Sequence, residues 1–277
     1  MTHVQRAAMA KRFGTATDQY LDGRYREANP GWHVEDSPWK ARLVCELLAQ
    51  HGVTPERVGD VGCGVGEVLR LLHERFPTSQ CIGFDVSPYA LSQARTRQTD
   101  GLSFRSFDLD QSGDFDLALL LDVIEHVEDY FSLLRWVRSR ARLQVLLIPL
   151  DLSALSVLRP HALVGARSSL GHIHYFVRAT ATRTLEDCGL RILYAQYVWP
   201  PTPRSSVKHH VLHFARLAVS TVSPDIAAKV LGGSSLLVLA TSEAGEHQPR
   251  SRVCAGYVDR DPRDQRFPFG IRGGVSS

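Results

Sequence analysis

Hydrophobic positions along this chain alternate between two rhythms. Short apolar runs suited to strands lie at 57–61, 81–85, 102–107, 115–121 and 144–148, and longer stretches with helical spacing separate them. A helix is expected from Ser37-Pro38-Trp39-Lys40, with Ser37 as cap and Pro38 in the first turn. Its apolar stripe holds Trp39, Leu43 and Leu47 beside Ala41, Val44 and Leu48, and His51-Gly52 ends it. Val68, Leu69, Leu71, Leu72 and Phe76 make a second stripe, which Pro77 stops. Ser87-Pro88 caps a third helix reaching about Arg97. The run 115–121 is apolar almost throughout, as in a central parallel strand buried on both faces. Strand and helix in turn predict a doubly wound α/β fold, a mostly parallel sheet of the Rossmann type with helices on both faces.

The rhythm changes towards the end. Residues 149–177 read as a long connection without clear structure, carrying His161, His172 and His174. A helix at 179–188, a sixth strand at 191–198 and a seventh at 235–240 follow. Between those strands, 199–231 reads as a helical insertion broken near Ser223-Pro224, with Val211, Leu212, Ala215, Ala218 and Val219 on one face. Its mildly basic remainder, Lys208, His209, His213 and Arg216, allows weak contact with a membrane surface, although packing on its own domain is the simpler reading. The expected organisation is a cover segment over 1–37, a main domain over 38–242 and a disordered tail over 243–277. The cover carries aromatic points at Phe13, Tyr20, Tyr25 and Trp32, and a short helix at Asp18-Gln-Tyr-Leu-Asp is broken by Asn29-Pro30-Gly31.

Composition narrows the classes. A net charge of +3 over 277 residues gives no concentrated basic face, so a nucleic-acid partner is not expected. The five scattered cysteines, Cys45, Cys63, Cys81, Cys188 and Cys254, form no CxxC pair and predict reduced thiols. No apolar run reaches membrane-spanning length and the N-terminus lacks a signal-like core, so the expected setting is the cytoplasm.

The chemistry concentrates after the strand runs. Asp60-Val61-Gly62-Cys63-Gly64-Val65-Gly66-Glu67 reads as strand, glycine turn and helix, where such folds bind nucleotide-like ligands. The pattern is G-x-G-x-G with an acid on each side, a poor cradle for a pyrophosphate. It suits a ligand with a positive centre and no phosphate. Asp85 ends the second strand, placed to accept from a ribose diol, and Asp108 ends the third, placed to accept from an adenine amino group. Beyond the fourth strand, Asp122, Glu125 and His126 at i, i+3 and i+4 fall on one side of a helical turn. Two carboxylates and an imidazole can bind Mg²⁺ or another divalent ion, with His172 or His174 as a further ligand. Alternatively His126, His172 or His174 serves as a general base. Cys63 has no adjoining base or cation and reads as a packing residue.

Over about residues 38–242 the chain resembles the class I S-adenosylmethionine-dependent methyltransferases. The resemblance rests on 60–67, Asp85-Val-Ser-Pro-Tyr-Ala-Leu, Asp108-Leu109, and Phe115-Asp116 leading into Asp122-Val-Ile-Glu-His-Val-Glu-Asp129. It implies that Gly62, Cys63, Gly64 and Gly66 line S-adenosylmethionine, with Asp60 and Glu67 at the turn's ends. It implies further that Asp85 and Val86 meet the ribose, Asp108 and Leu109 the adenine, and Leu121 and Asp122 the methyl end. The last two strands are then an antiparallel hairpin. Asp122 to His126 looks like the E-x-x-E-H site of the ubiquinone-biosynthesis O-methyltransferases, with Asp122 one methylene shorter, and is similar to that of small-RNA 3′-terminal 2′-O-methyltransferases. Both families bind a metal there, while many relatives keep the Glu-His pair without one. The acceptor expected is a small molecule methylated on oxygen or nitrogen in biosynthetic metabolism. A macromolecular acceptor, or a non-catalytic protein of the same fold, are the alternatives.

Overall fold

The computed structural model describes residues 18–107, 113–201 and 207–242, with only the backbone for 207–209. Asp108, Leu109, Phe13, Cys254 and the 243–277 tail, of which the sequence raised expectations, lie outside the described residues.

The strands expected from the apolar runs all form: β1 (Arg57–Val61), β2 (Gln80–Asp85), β3 (Leu102–Ser106), β4 (Phe115–Leu121), β5 (Ala141–Leu150), β6 (Leu190–Val198) and β7 (Ser234–Ser242). They make one sheet in the order β3-β2-β1-β4-β5-β7-β6. The first five strands are parallel, whereas β7 pairs antiparallel with both β5 and β6. The order reverses between β1 and β4, so a crevice opens beyond their carboxyl ends.

Helices cover both faces. On one side α3 (Ser37–Gln50) and α4 (Glu67–Arg75) bury Val44, Leu47, Leu48, Leu69 and Leu72 against the sheet. On the other, α6 (Tyr130–Arg140) and α9 (Arg178–Asp187) bury Leu133, Leu134, Ala181 and Leu185. Between α4 and α6 lies α5 (Pro88–Ala94), whose cap is Ser87: its hydroxyl accepts from Ala90 N at 3.3 Å. Ser37, by contrast, lies inside α3 and makes no side-chain cap, because Asp36 already has helical backbone angles.

Two expectations change. The 149–177 connection is not structureless: it holds α7 (Ala154–Leu158), started by a Ser153–Ser156 capping box, and α8 (His161–Ser169). In the 199–231 insertion, α10 (Val207–Val222) is followed by a helical turn at Pro224–Ile226 and a π-helical turn at Ala227–Leu231. The break at Ser223-Pro224 falls where expected, but Val211, Ala215 and Ala218 face outward, and Leu212 and Val219 turn inward. Ahead of α3, short helices α1 (Asp18–Asp22) and α2 (Arg24–Ala28) lie over the crevice. They are held there by Asn29 Nδ2, which donates to Ser169 O at 2.8 Å, and by Arg26, stacked 4.2 Å over Tyr89.

Candidate active site

The crevice encloses about 370 Å³ and is walled by the β1 turn, the ends of β2 and β4, the 122–127 loop, and the aromatic residues of the N-terminal cover. Its glycines do different work. Gly62 (φ +79°) and Gly66 (φ +82°) have left-handed backbones, and a Cβ would stand 2.7 Å from Val123 and 2.6 Å from Phe104 respectively. Packing therefore explains both, and Gly66 does not line the crevice. Gly64 (φ +56°) is different: a Cβ there meets nothing nearer than Trp32 at 3.9 Å, on the open side of the crevice. That is the position where a ligand can approach the backbone.

Acids surround this loop. Asp85 is buried and accepts from Gly64 N and Ser87 N, each at 2.8 Å, so it sets the loop's shape as well as facing the crevice. One bond to each oxygen leaves further lone pairs for a diol. Burial holds its pKa up, against the backbone N–H groups that lower it. Asp60 is buried beside it, and burial together with the Asp85 charge pushes its pKa up to about 7. Glu67 lines the crevice at the turn's end. Its carboxylate is clamped by Arg70 at 2.7 Å and Arg97 at 2.8 Å, so its charge is spent on fastening α4 to the end of α5. Cys63 is buried against the loop, and burial drives its thiol pKa well up, in keeping with a packing role. Val86 and Leu121 line the crevice as apolar wall.

The Asp122–Glu125–His126 trio does not assemble. Only Ile124–His126 forms a 3₁₀ turn; Asp122 precedes it with a left-handed backbone (φ +57°), which swings its carboxylate away. It pairs instead with Lys40 of α3, Nζ to Oδ2 2.7 Å. The group that converges is Glu125, His126 and His172, whose ligand atoms all lie within 4.8 Å of one another. His172 arrives because the 171–174 segment is laced to the loop. Ile173 N and His174 N donate to Glu125 O at 2.8 and 3.1 Å, and His126 Nδ1 donates to Gly171 O at 3.1 Å.

Those bonds fix proton positions. A carbonyl only accepts, so His126 carries its proton on Nδ1 and keeps a lone pair on Nε2, 3.7 Å from Glu125 Oε1. Burial, with His172 adding to it, lowers the His126 pKa to about 4 and keeps the ring neutral. His172 Nδ1 lies 2.7 Å from Asp151 Oδ2, which leaves its Nε2 as the free nitrogen. Glu125 is fully buried with neither carboxylate oxygen hydrogen-bonded, and burial raises its pKa well above the ordinary carboxylate range. His174 is elsewhere: its Nε2 donates to Val127 O at 3.0 Å, its ring packs edge-on to Tyr130, and it does not line the crevice.

The sequence reading missed Lys40, Asp151 and the role of the cover. Tyr20, Tyr25 and Trp32 form an aromatic cluster with centroid separations of 4.7 Å (Tyr20–Tyr25) and 5.1 Å (Tyr25–Trp32). Tyr20 stands edge-on to His126 at 5.9 Å, and the three rings roof the crevice. Asp151 stands just past β5, as Asp122 stands just past β4, and that shared position was the available signal.

The site fits S-adenosylmethionine on its own features: an open glycine backbone at Gly64, acids at Asp60 and Asp85 in place of a phosphate cradle, and apolar and aromatic walls. A family model described as a methyltransferase domain matches residues 35–195. Trans-aconitate 2-methyltransferase of Escherichia coli O1:K1 / APEC is 29% identical over 110 residues, 38% of this chain and 43% of the relative. That of Streptomyces avermitilis is 38% identical over 69 residues, covering 24% of this chain and 26% of the relative. These matches therefore span less than half the length of the curated relatives. Among solved structures, a chain in the complex of the Haloferax volcanii Trm112 methyltransferase activator with a candidate methyltransferase aligns with TM-score 0.57. It is 16% identical, over 84% of this chain and all of that one. A candidate sarcosine dimethylglycine methyltransferase from Galdieria sulphuraria aligns with TM-score 0.53 at 15% identity, over 73% of this chain and 84% of that one. At such identities the structural likeness establishes the fold. The family match over more than half of the sequence goes further: the chain belongs to the methyltransferase domain family.

Proposed function

We propose that this enzyme methylates a hydroxyl or amine of a small acceptor with an apolar or aromatic body, using His172 as general base. The observation that carries the reading is the 2.7 Å contact between His172 Nδ1 and Asp151 Oδ2. It is the arrangement of a base oriented by a third group, with the opposite ring nitrogen left to take a proton.

Bound S-adenosylmethionine supplies a methyl group on a positively charged sulfur, open to in-line displacement. Gly62 and Gly64 would receive it along the backbone, Asp85 would hold the ribose and Asp60 would meet the charged end. The aromatic roof of Tyr20, Tyr25 and Trp32 excludes water and sets the acceptor's plane against His126. His172 Nε2 takes the acceptor's proton, and Asp151 stabilises the imidazolium that results.

Acceptor charge is the next question. The crevice is lined by Asp36, Asp60 and Asp85, while its Glu67 is held by Arg70 and Arg97 and its Asp122 by Lys40. This lining disfavours a polycarboxylate such as trans-aconitate and favours a neutral or cationic acceptor. For the metal, two imidazoles and one carboxylate suit a borderline ion such as Zn²⁺ better than Mg²⁺. Burial raises the Glu125 pKa well above the ordinary carboxylate range, which disfavours the anionic form that an ion needs, so the reading requires no ion. Methyl release from labelled S-adenosylmethionine across pooled phenols, alcohols, amines and carboxylic acids, with and without EDTA, tests it. The expected result is turnover on a hydroxyl or amine compound, insensitive to EDTA. Turnover confined to polycarboxylates, or abolished by EDTA, would refute the acceptor or the metal-free reading respectively.

A further inference from the structure

Helix α10 is built inside out. Val211, Phe214, Ala215, Ala218 and Val222 recur at i, i+3, i+4, i+7 and i+11, the spacing of a core-facing stripe, yet all five face solvent. Phe214 is 66% exposed and Val222 is 87% exposed. The inward side is anchored by Arg216, whose Nε and Nη2 donate to Leu231 O at 3.2 and 3.1 Å.

Topology sets this stripe beside a second one. Leu150 at the end of β5 pairs with Ser234 at the start of β7, and Val198 at the end of β6 pairs with Ser235. Both connections, 151–177 and 199–233, therefore leave the sheet at one end, which is the end where the crevice opens past Leu170 and Pro200. α7 packs on the Ala227–Leu231 turn and that turn packs on α10. On this neighbouring surface α7 and α8 expose Val157, Leu158 (80%) and Val164. Exposed apolar residues on neighbouring elements mark an interaction site.

Charge identifies the partner. Neither 152–185 nor 199–224 contains an Asp or Glu. Arg159 and Arg167 stand exposed among the apolar side chains of α7 and α8. The nearest acid after α10, Asp225, is engaged by Tyr197 Oη and by Lys229 Nζ, each at 2.6 Å. We infer that the α7–α8 and α10 face docks the enzyme on an anionic lipid bilayer, its apolar residues entering the interface and its arginines meeting lipid phosphates. A second copy is the poorer occupant. Twofold pairing sets the same patch against itself, and an acid-free patch then opposes like charges. The docking is peripheral, because no described helix is long and apolar enough to cross a membrane.

The test uses the full chain without cofactor, so it is read independently of the acceptor. Protein is sedimented with phosphatidylcholine vesicles with and without phosphatidylglycerol, at low and high salt. Partition onto the anionic vesicles on the order of tenfold stronger, and weakened by salt, is expected. Phe214→Glu and Leu158→Glu change exposed positions and should keep the melting temperature while reducing partition on the order of tenfold. If either variant folds poorly, Arg159→Glu/Arg167→Glu supplies the same comparison through charge alone. Equal partition onto both vesicle types, or binding that no variant moves, would overturn the inference. So would a solution dimer, seen by light scattering, that Phe214→Glu dissociates.

Discussion

His172 and Asp151 lie 21 residues apart in sequence and 2.7 Å apart in space, imidazole Nδ1 to carboxylate Oδ2. Asp151→Asn keeps the size of the partner but can donate to Nδ1, which favours the wrong tautomer. Turnover is expected to fall on the order of 100-fold. Affinity for S-adenosylmethionine, measured by titration, should remain at the wild-type value. Equal losses in affinity and turnover would assign Asp151 a structural role only.

Lys40 and Asp122 form the second decisive pair, and neither is fully buried. Lys40→Met leaves Asp122 with a left-handed backbone and no counter-charge, at a cost of roughly 1–3 kcal/mol, discounted for solvent screening. Asp122→Asn tolerates that backbone better than Ala does. The double variant Lys40→Met/Asp122→Asn should recover part of the loss in denaturant unfolding. Additive losses would mean the pair is not coupled.

Glu125 separates the proton reading from the metal reading. Glu125→Gln keeps the side chain's shape and removes a buried acid without hydrogen-bond partners. Stability should change by no more than about 1 kcal/mol, and turnover by only a few-fold. A carboxylate that binds a metal would behave otherwise, losing activity on the order of 100-fold on this change.

The strand positions and the glycine turn were legible because each rests on local pattern. Apolar runs define β1 to β5, and the glycines and Asp85 sit at fixed offsets from strand ends. The Asp122–Glu125–His126 trio was misread because i, i+3, i+4 spacing presumes a regular helix. One left-handed residue at Asp122 breaks that premise. Contacts across the chain were invisible for a different reason. Lys40 to Asp122, Asp151 to His172 and Tyr20 to His126 join elements that only the packed sheet brings together. The outward stripe of α10 was a question of which way a known amphipathic helix turns, and periodicity alone does not answer it.

Two buried groups make cofactor-free stability depend on pH in opposite directions. Burial raises the Asp60 pKa to about 7, so its favourable contribution is full below the unfolded carboxylate range and is lost as pH rises through about 7. Burial lowers the His126 pKa to about 4, so its contribution is full above about 6.5 and is lost as pH falls through about 4. In thermal melts, Asp60→Asn should therefore gain on wild type as pH rises from 5 to 8, by ~2.5 kcal/mol. His126→Gln should gain on wild type as pH falls from about 7 to 4. Parallel melting curves across this range would show that these groups titrate normally.

Gly64 tests the loop where a ligand would approach. Gly64→Ala meets only Trp32, at an ordinary contact distance of 3.9 Å, but must hold φ +56°, a strain of about 1 kcal/mol. Cofactor affinity should fall by more than stability does, since the new methyl group faces the crevice. Loss of stability with unchanged affinity would place the cofactor elsewhere.

The most direct measurement is calorimetric titration of S-adenosylmethionine into wild type, Asp85→Ala and His172→Gln. One site per chain is predicted for wild type, with affinity reduced on the order of 100-fold in Asp85→Ala, where the ribose and loop contacts are lost. His172→Gln should bind like wild type. Absence of binding to wild type, or binding that Asp85→Ala leaves unchanged, would contradict the assignment of the crevice beyond β1 and β4 as the methyl-donor site.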